Sequence, residues 1–301
     1  MGRYDNASYV SATLEFRCNL HCVHCMIEGT MDRLQPVSDA EFERVLAKNE
    51  RDRSWTGLVM TGSEITLRRD LPELARRARA AGFEHVRIQT HGMHLSRPGY
   101  AEKLIEAGID EFFVSVAGCD AQTHDGITAV KGSFDKMMRG LEIISGVPGT
   151  AIITNTVVTE LSYRLLPEVV DALKGISALT QMEFWHYFPM SQTDNKKLLA
   201  DYRLIIPYLR EACRRADARG IAAEIKNVPQ CLLGGDDWRL DNGQAALLID
   251  PDFWVEFDKN GFYRCPHRAS CASKACLGLT EAYVTRFGDM AGDLKPYAIP
   301  A

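Results

Sequence analysis

The chain is 301 residues long and 46% of it is apolar, enough for one large domain or one domain with a modest appendage, so disorder and a minimal scaffold are excluded. Thirty-five Lys and Arg against 40 Asp and Glu give a net charge of −5, without the basic excess that nucleic acid or an anionic membrane surface demands. The polar N-terminus is no signal peptide and no run approaches the roughly 20 apolar residues that span a bilayer, so a cytoplasmic protein is expected, whose nine cysteines must serve something other than disulfides.

Taken in chain order, residues 13–16 read as a first strand, and Ser38 with Glu41 forms the S-x-x-E pattern that opens a helix. Residues 58–61 make a second strand; a helix over 71–81 follows, with Pro72 at its start and Gly82 at its end. Further strands fall at 85–89, 111–116, 151–158 and 181–187, rich in Val, Ile, Phe and Thr as buried parallel strands are. Gly108 and Gly175 sit where helices between them stop.

Six such βα units predict an α/β fold, a partial (βα)6 TIM-like barrel, with the loops after the strands gathered on one rim. A long amphipathic helix is expected over 195–219, containing Pro207 and ending at Gly220. Residues 231–290 then turn irregular, with Gly234, Gly235, four cysteines, an apolar patch around 246–255 and a turn at 258–261. This predicts two units: a barrel over 1–194, and over 195–301 a helix followed by a small irregular cysteine-rich extension that cannot hold itself together unaided.

Immediately after the first strand stands Cys18-Asn-Leu-His-Cys22-Val-His-Cys25. Three thiolates in eight residues can wrap one metal centre, and soft thiolate suits an iron–sulfur cluster or zinc; a zinc site of the three cysteines completed by His21 or His24 is the competing reading. Over roughly residues 10–190 the sequence resembles the radical S-adenosylmethionine (SAM) enzymes, whose hallmark is C-x3-C-x2-C after the first strand of a six-unit barrel. Thr61-Gly62-Ser63-Glu64 resembles the family's Gly-Gly-Glu segment, with Ser63 in place of the second glycine.

The resemblance implies a [4Fe-4S] cluster on Cys18, Cys22 and Cys25 with SAM on its open iron. The SAM amino group would lie against Gly62, Ser63 and Glu64, Ser115 near its ribose or carboxylate, Asn155 on the fifth strand beside it, and His24 at the adenine. Thr123-His-Asp125 and Lys131-Gly-Ser-Phe134 also match, although Gly126-Ile-Thr128 stands where many relatives have an arginine.

A second set, Cys231, Cys265, Cys271 and Cys276, would make a closed four-thiolate site. The resemblance extends to family members with twitch or SPASM extensions and implies a second, auxiliary [4Fe-4S] cluster; a four-cysteine zinc site is the alternative. Of the two remaining thiols, Cys213 lies at helical spacing from Leu209 and Ala216 and reads as buried and structural. Cys119 follows the fourth strand on the rim, where a thiol can return a hydrogen atom to a substrate radical or simply occupy a loop.

His91, Glu183, Trp185, His186 and Tyr187 are rim candidates for polar substrate or proton transfer, and alternation lets only about half of residues 183–187 face inward. Asp236 and Asp237 read as a solvated turn.

The resemblance implies a 5′-deoxyadenosyl radical that takes hydrogen from an unactivated C–H bond, fed by a flavodoxin- or ferredoxin-type electron donor. Cys18 lies so near the start that no leader-peptide domain is expected before the barrel. That points to epimerisation or oxidation of a small sugar, aminocyclitol or nucleoside, as in antibiotic biosynthesis. Peptide thioether or crosslink formation and sulfur insertion are the enzymatic alternatives, and a non-catalytic zinc protein the alternative of another class.

Overall fold

The computed structural model describes residues 4–299. Along the first strand, β1 (Tyr9–Glu15), Val10, Ala12 and Leu14 face one way and Ser11, Thr13 and Glu15 the other. The apolar set joins the main hydrophobic core, and the same division holds in every long strand that follows.

The chain continues through α1 (Asp39–Asp52), β2 (Gly57–Gly62), α2 (Leu71–Ala80), β3 (His85–Thr90), α3 (Tyr100–Glu106) and β4 (Glu111–Ser115). Two helices, α4 (Ala121–Thr128) and α5 (Ser133–Ser145), lead to β5 (Ala151–Val158), then α6 (Leu166–Ala172) and β6 (Leu179–His186). Last come α7 (Tyr202–Asp217), β7 (Ala222–Lys226), β8 (Ala246–Leu248), α8 (Asp252–Phe257) and α9 (Glu281–Phe287).

All eight strands are parallel, in the order β7-β6-β5-β4-β3-β2-β1-β8, an open sheet in the manner of a partial TIM barrel. Leu58, Met60, Val86, Ile88, Phe112, Val114, Met182 and Phe184 pack against the helices. The other face carries Thr61, Arg87, Gln89, Ser115, Asn155, Glu183 and Glu224, so the barrel interior is polar and charged.

All six expected strands form, the first beginning four residues earlier than its apolar run, at Tyr9. Two further strands, β7 and β8, arise from the chain after residue 194 and form both edges of the sheet. The expected helix over 195–219 begins only at Tyr202. Asp194 instead accepts the backbone N–H groups of Leu198 (3.1 Å) and Leu199 (2.8 Å), holding a loop, and Asp201 caps the helix by accepting from Arg203 N. Ser38 and Glu41 form the full reciprocal cap on α1.

After β7 the chain crosses the open side of the barrel. Leu240 bridges Ile225, Asn242 Oδ1 accepts from Asn227 N (2.9 Å), and six residues after Leu240 the strand β8 pairs with β1. Among the described residues no helix is long and apolar enough to cross a membrane.

Candidate active site

Cys18, Cys22 and Cys25 lie in the loop leaving β1, which is held from two sides. His21 N and Val23 N donate to the carbonyls of Thr128 (3.0 Å) and Ile127 (2.9 Å) at the end of α4. Lys196 Nζ donates to Val23 O (3.0 Å) and Cys25 O (3.5 Å) and pairs with Glu28. The three thiols lie within electrostatic reach of one another. Burial, then the neighbouring thiols, pushes Cys22 up to about 12, and burial raises Cys18 and Cys25 as well. Thiols protonated at neutral pH must release protons to bind a metal centre, so assembly here is proton-linked.

At the end of β2, Gly62 takes φ 153°, and a Cβ there would lie 1.9 Å from the carbonyl oxygen of Glu15. Only glycine fits so close an approach. Ser63 N donates to that same oxygen (2.7 Å), and the Ser63 hydroxyl is buried without a partner.

Glu64 is fully buried. It accepts from Thr66 N (3.0 Å), Thr66 Oγ1 (2.5 Å), Thr90 Oγ1 (2.6 Å) and His91 N (2.8 Å). Its carboxylate is a bracket joining the ends of β2 and β3, and the groups left open to a ligand here belong to Gly62 and Ser63. His91 extends the bracket, since its Nε2 lies 2.7 Å from Asn19 Oδ1 inside the cysteine loop.

His24 is half-buried with Nδ1 wholly buried and unpartnered; burial, then Lys196 and His124, brings it down to about 4, so the ring is neutral. Soft thiols, an orphaned hydroxyl, an orphaned ring nitrogen and a glycine cradle converge at the rim, and this donor set fits an iron–sulfur cluster with a polar ligand beside it. A shallow cavity of about 430 Å³, lined by Glu15, Phe16, Arg17, Cys18, Met31 and Asp32, opens next to Cys18. Another of similar volume, lined by Tyr9, His85, Glu111 and Ala151, lies at the opposite end of the strands, away from every cysteine.

Ser115, Asn155, Glu183 and Glu224 are register partners across β4, β5, β6 and β7, one row on the inner face. Ser115 is exposed and Asn155 buried, so the row runs from the open mouth inward. Trp185 also faces in, whereas His186 faces the helices, tilted against Tyr202 and 2.9 Å from Ala200 O, and Tyr187 belongs to a small cluster with Leu198 and Leu199. Asp125 spends its carboxylate on Gly132 N, Phe134 N and Ser133 Oγ, and His124 Nδ1 accepts from Ala117 N, which accounts for those two motifs as loop brackets.

Cys119 is not in this row: it lies in the loop between β4 and α4, packs against the main core as Cys231, Cys265 and Cys276 do, and is within electrostatic reach of Asp120 and of Glu168 on α6. Cys213 is buried in the core, as its spacing indicates.

Cys231, Cys265, Cys271 and Cys276 gather beyond the end of β7 within electrostatic reach of one another. Backbone amides point at their sulfurs: Gly278 N (3.3 Å) and Gln230 N (3.4 Å) at Cys276, Tyr297 N (3.4 Å) at Cys271. Such N–H···S contacts stabilise thiolate. All nine thiols are free, and among the described residues no three His, Cys, Asp or Glu side chains converge on the position of a single ion. Asp237, read as part of a solvated turn, accepts from Tyr297 Oη (2.7 Å), and Asp236 pairs with Arg239.

Sequence reasoning missed Lys196, Glu224 and Lys226. Two charges alternating through a five-residue stretch between Gly220 and Asn227 are the signal of a strand whose inner face is polar.

The model of the radical SAM superfamily matches residues 16–175, and the chain belongs to that superfamily. Its cofactors are accordingly a [4Fe-4S] cluster and SAM. It is 28% identical over 302 residues to a probable GTP 3′,8-cyclase of Methanopyrus kandleri, covering 99% of this chain and 90% of that protein. It is 31% identical over 236 residues to the Fe-coproporphyrin III synthase of Methanosarcina barkeri, covering 74% of this chain but 56% of the relative. Among solved structures, Streptococcus suis SuiB bound to its precursor peptide SuiA superposes with a TM-score of 0.59 at 17% identity, over 72% of this chain and 48% of SuiB.

Proposed function

We propose that this radical SAM enzyme oxidises a small polar molecule held against the inner face of the barrel, with Cys18, Cys22 and Cys25 holding the SAM-binding cluster and Cys231, Cys265, Cys271 and Cys276 a second one in a twitch-like unit. When bound, these groups supply a 5′-deoxyadenosyl radical that takes a hydrogen atom from carbon and a one-electron acceptor for what remains; loss of a proton completes a two-electron oxidation. The chain's own part is positional. Gly62 and Ser63 offer backbone and hydroxyl to the SAM amino acid group, His24 a neutral ring to its adenine, Asn155 and Ser115 polar contacts to ribose or carboxylate.

The observation that carries oxidation over epimerisation is the placement of the thiols. Four gather beyond β7, with backbone amides at the sulfurs of Cys271 and Cys276, whereas Cys119, the candidate hydrogen donor, stands apart from them beside Asp120 and Glu168. The inner face bears on substrate class. Arg87 and Glu111 pair with each other toward the far end of the strands, and of the remaining charges Glu15, Glu183 and Glu224 outnumber Lys226, which supports a neutral or cationic substrate rather than a nucleoside triphosphate, despite the cyclase relative.

Anaerobic iron and sulfide content with reductive SAM cleavage tests the reading. About eight irons per chain with 5′-deoxyadenosine formation is the expected result. Replacing Cys18, Cys22 and Cys25 together by alanine should abolish cleavage, and retained turnover would overturn the proposal.

A further inference from the structure

The innermost members of the inner-face row are a cluster of charges with an unequal share of partners. Glu183 is satisfied: Gln181 Nε2 donates to its Oε1 (2.9 Å) and Trp185 Nε1 to its Oε2 (2.7 Å). Lys226 Nζ spends its donors on Asp241 O (2.6 Å) and Gly243 O (3.4 Å), the segment that crosses the open side of the barrel. It lies 3.9 Å from Glu183 and 3.5 Å from Glu224.

Glu224 is 1% exposed, and neither of its carboxylate oxygens accepts a hydrogen bond. Of the two carboxylates that share this one ammonium, Glu224 has only the 3.5 Å ion-pair contact to Lys226 and no hydrogen bond of its own. Burying such a group without donors is costly, and folds retain the cost where a ligand supplies the missing partner.

We infer that Glu224 is the anchor for a positively charged amine of the substrate, with Glu183, Trp185 and Lys226 as the walls of that subsite, so that the substrate class is amine-bearing small molecules. The inference rests on the reading above that substrate lies on the inner face. An ammonium is the fitting group because it brings three donors and the one charge the cluster lacks. The row places this anchor in register with Asn155 and Ser115, on the strands that lead to the mouth, so a molecule held by its amine at Glu224 extends toward the SAM-facing side. Burial holds the Glu224 carboxyl up at about 7, and an arriving cation reverses that, so binding releases a proton near neutrality.

The test uses cluster-loaded, unreduced holoprotein with SAM at about pH 8, where Glu224 is charged, and follows thermal unfolding with ethanolamine as the probe. Ethylene glycol and NaCl at matched ionic strength are the controls. Ethanolamine should raise the Tm of the wild type beyond both. Glu224→Gln should weaken the apparent amine affinity about tenfold, with iron content and SAM binding unchanged, while Glu224→Asp, which keeps the charge, retains part of the effect. An amine-dependent shift of equal size in Glu224→Gln, or none beyond salt in the wild type, overturns the inference. Failure of the parent reading looks different: it is wild-type protein without iron or without SAM cleavage.

Discussion

Gly62 is the residue on which the geometry of the rim turns. With φ at 153° and the Glu15 carbonyl 1.9 Å from where a Cβ would stand, Gly62→Ala forces the ends of β1 and β2 apart. The expected cost is about 2–3 kcal/mol of stability, with SAM binding lost more completely than iron, as calorimetric titration and iron content will show. Glu224 makes the opposite prediction. Its carboxyl is raised from 4.5 to about 7, so the folded state holds the proton more tightly than the unfolded chain, and stability falls as pH rises from about 4.5 to about 7. Above that range the loss is complete, worth about 3 kcal/mol. Glu224→Gln should therefore unfold at a higher Tm than wild type at pH 8 and at an equal one below about pH 4.5. A difference independent of pH would show that the charge is not its cause.

At the scale of elements, α1 depends on its cap: Ser38 Oγ accepts from Glu41 N while Glu41 Oε2 accepts from Ser38 N. Ser38→Ala should cost about 1 kcal/mol in denaturant unfolding and leave iron content untouched, since the helix lies behind the sheet rather than at the rim. Elements such as this one were legible because their signals are local. A cap pair fixes a helix start, and β-branched runs such as Ile152-Ile153-Thr154 fix strands buried on the helical side. β7 was not legible for the converse reason: Ala222-Ala-Glu-Ile-Lys226 places Glu224 and Lys226 on the buried inner face, so a buried edge strand carries charges usually met at the surface. β8 is three residues long with exposed side chains, and what makes it a strand is β1 beside it. The same limit applies at the site. The cysteine spacing marks the loop, but that Glu64 is consumed as a bracket, or that Cys119 comes within reach of Glu168, follows from tertiary placement alone.

For the molecule as a whole, the consequence is that the chain after residue 194 is both wall and lid. It supplies β7 and β8, crosses the open side of the barrel between them, and carries the second cysteine group. Contacts to the chain after β7 hold this group in place: Asn242 Nδ2 donates to Ala275 O (2.9 Å), Ser273 Oγ donates to Gln230 Oε1, and Gln230 N, four residues past β7, points at Cys276 Sγ. The surrounding segment has little core of its own. Residues 262–277 are largely half-buried or exposed, and its anchors into the barrel side are Leu279 and Tyr283, the latter donating to Asp201 Oδ1 (3.2 Å). A metal centre on four thiolates would therefore contribute folding energy there directly. Replacing Cys265 and Cys271 together by serine should lower iron by about half, from eight toward four. Limited proteolysis should then cut first within 262–277, while the cluster on Cys18, Cys22 and Cys25 persists and still cleaves SAM on reduction. Substrate oxidation would stop in this variant, because the one-electron acceptor for the substrate radical is gone. An unchanged iron count in this variant would assign the four thiols to a centre without iron, and the oxidative reading would go with it.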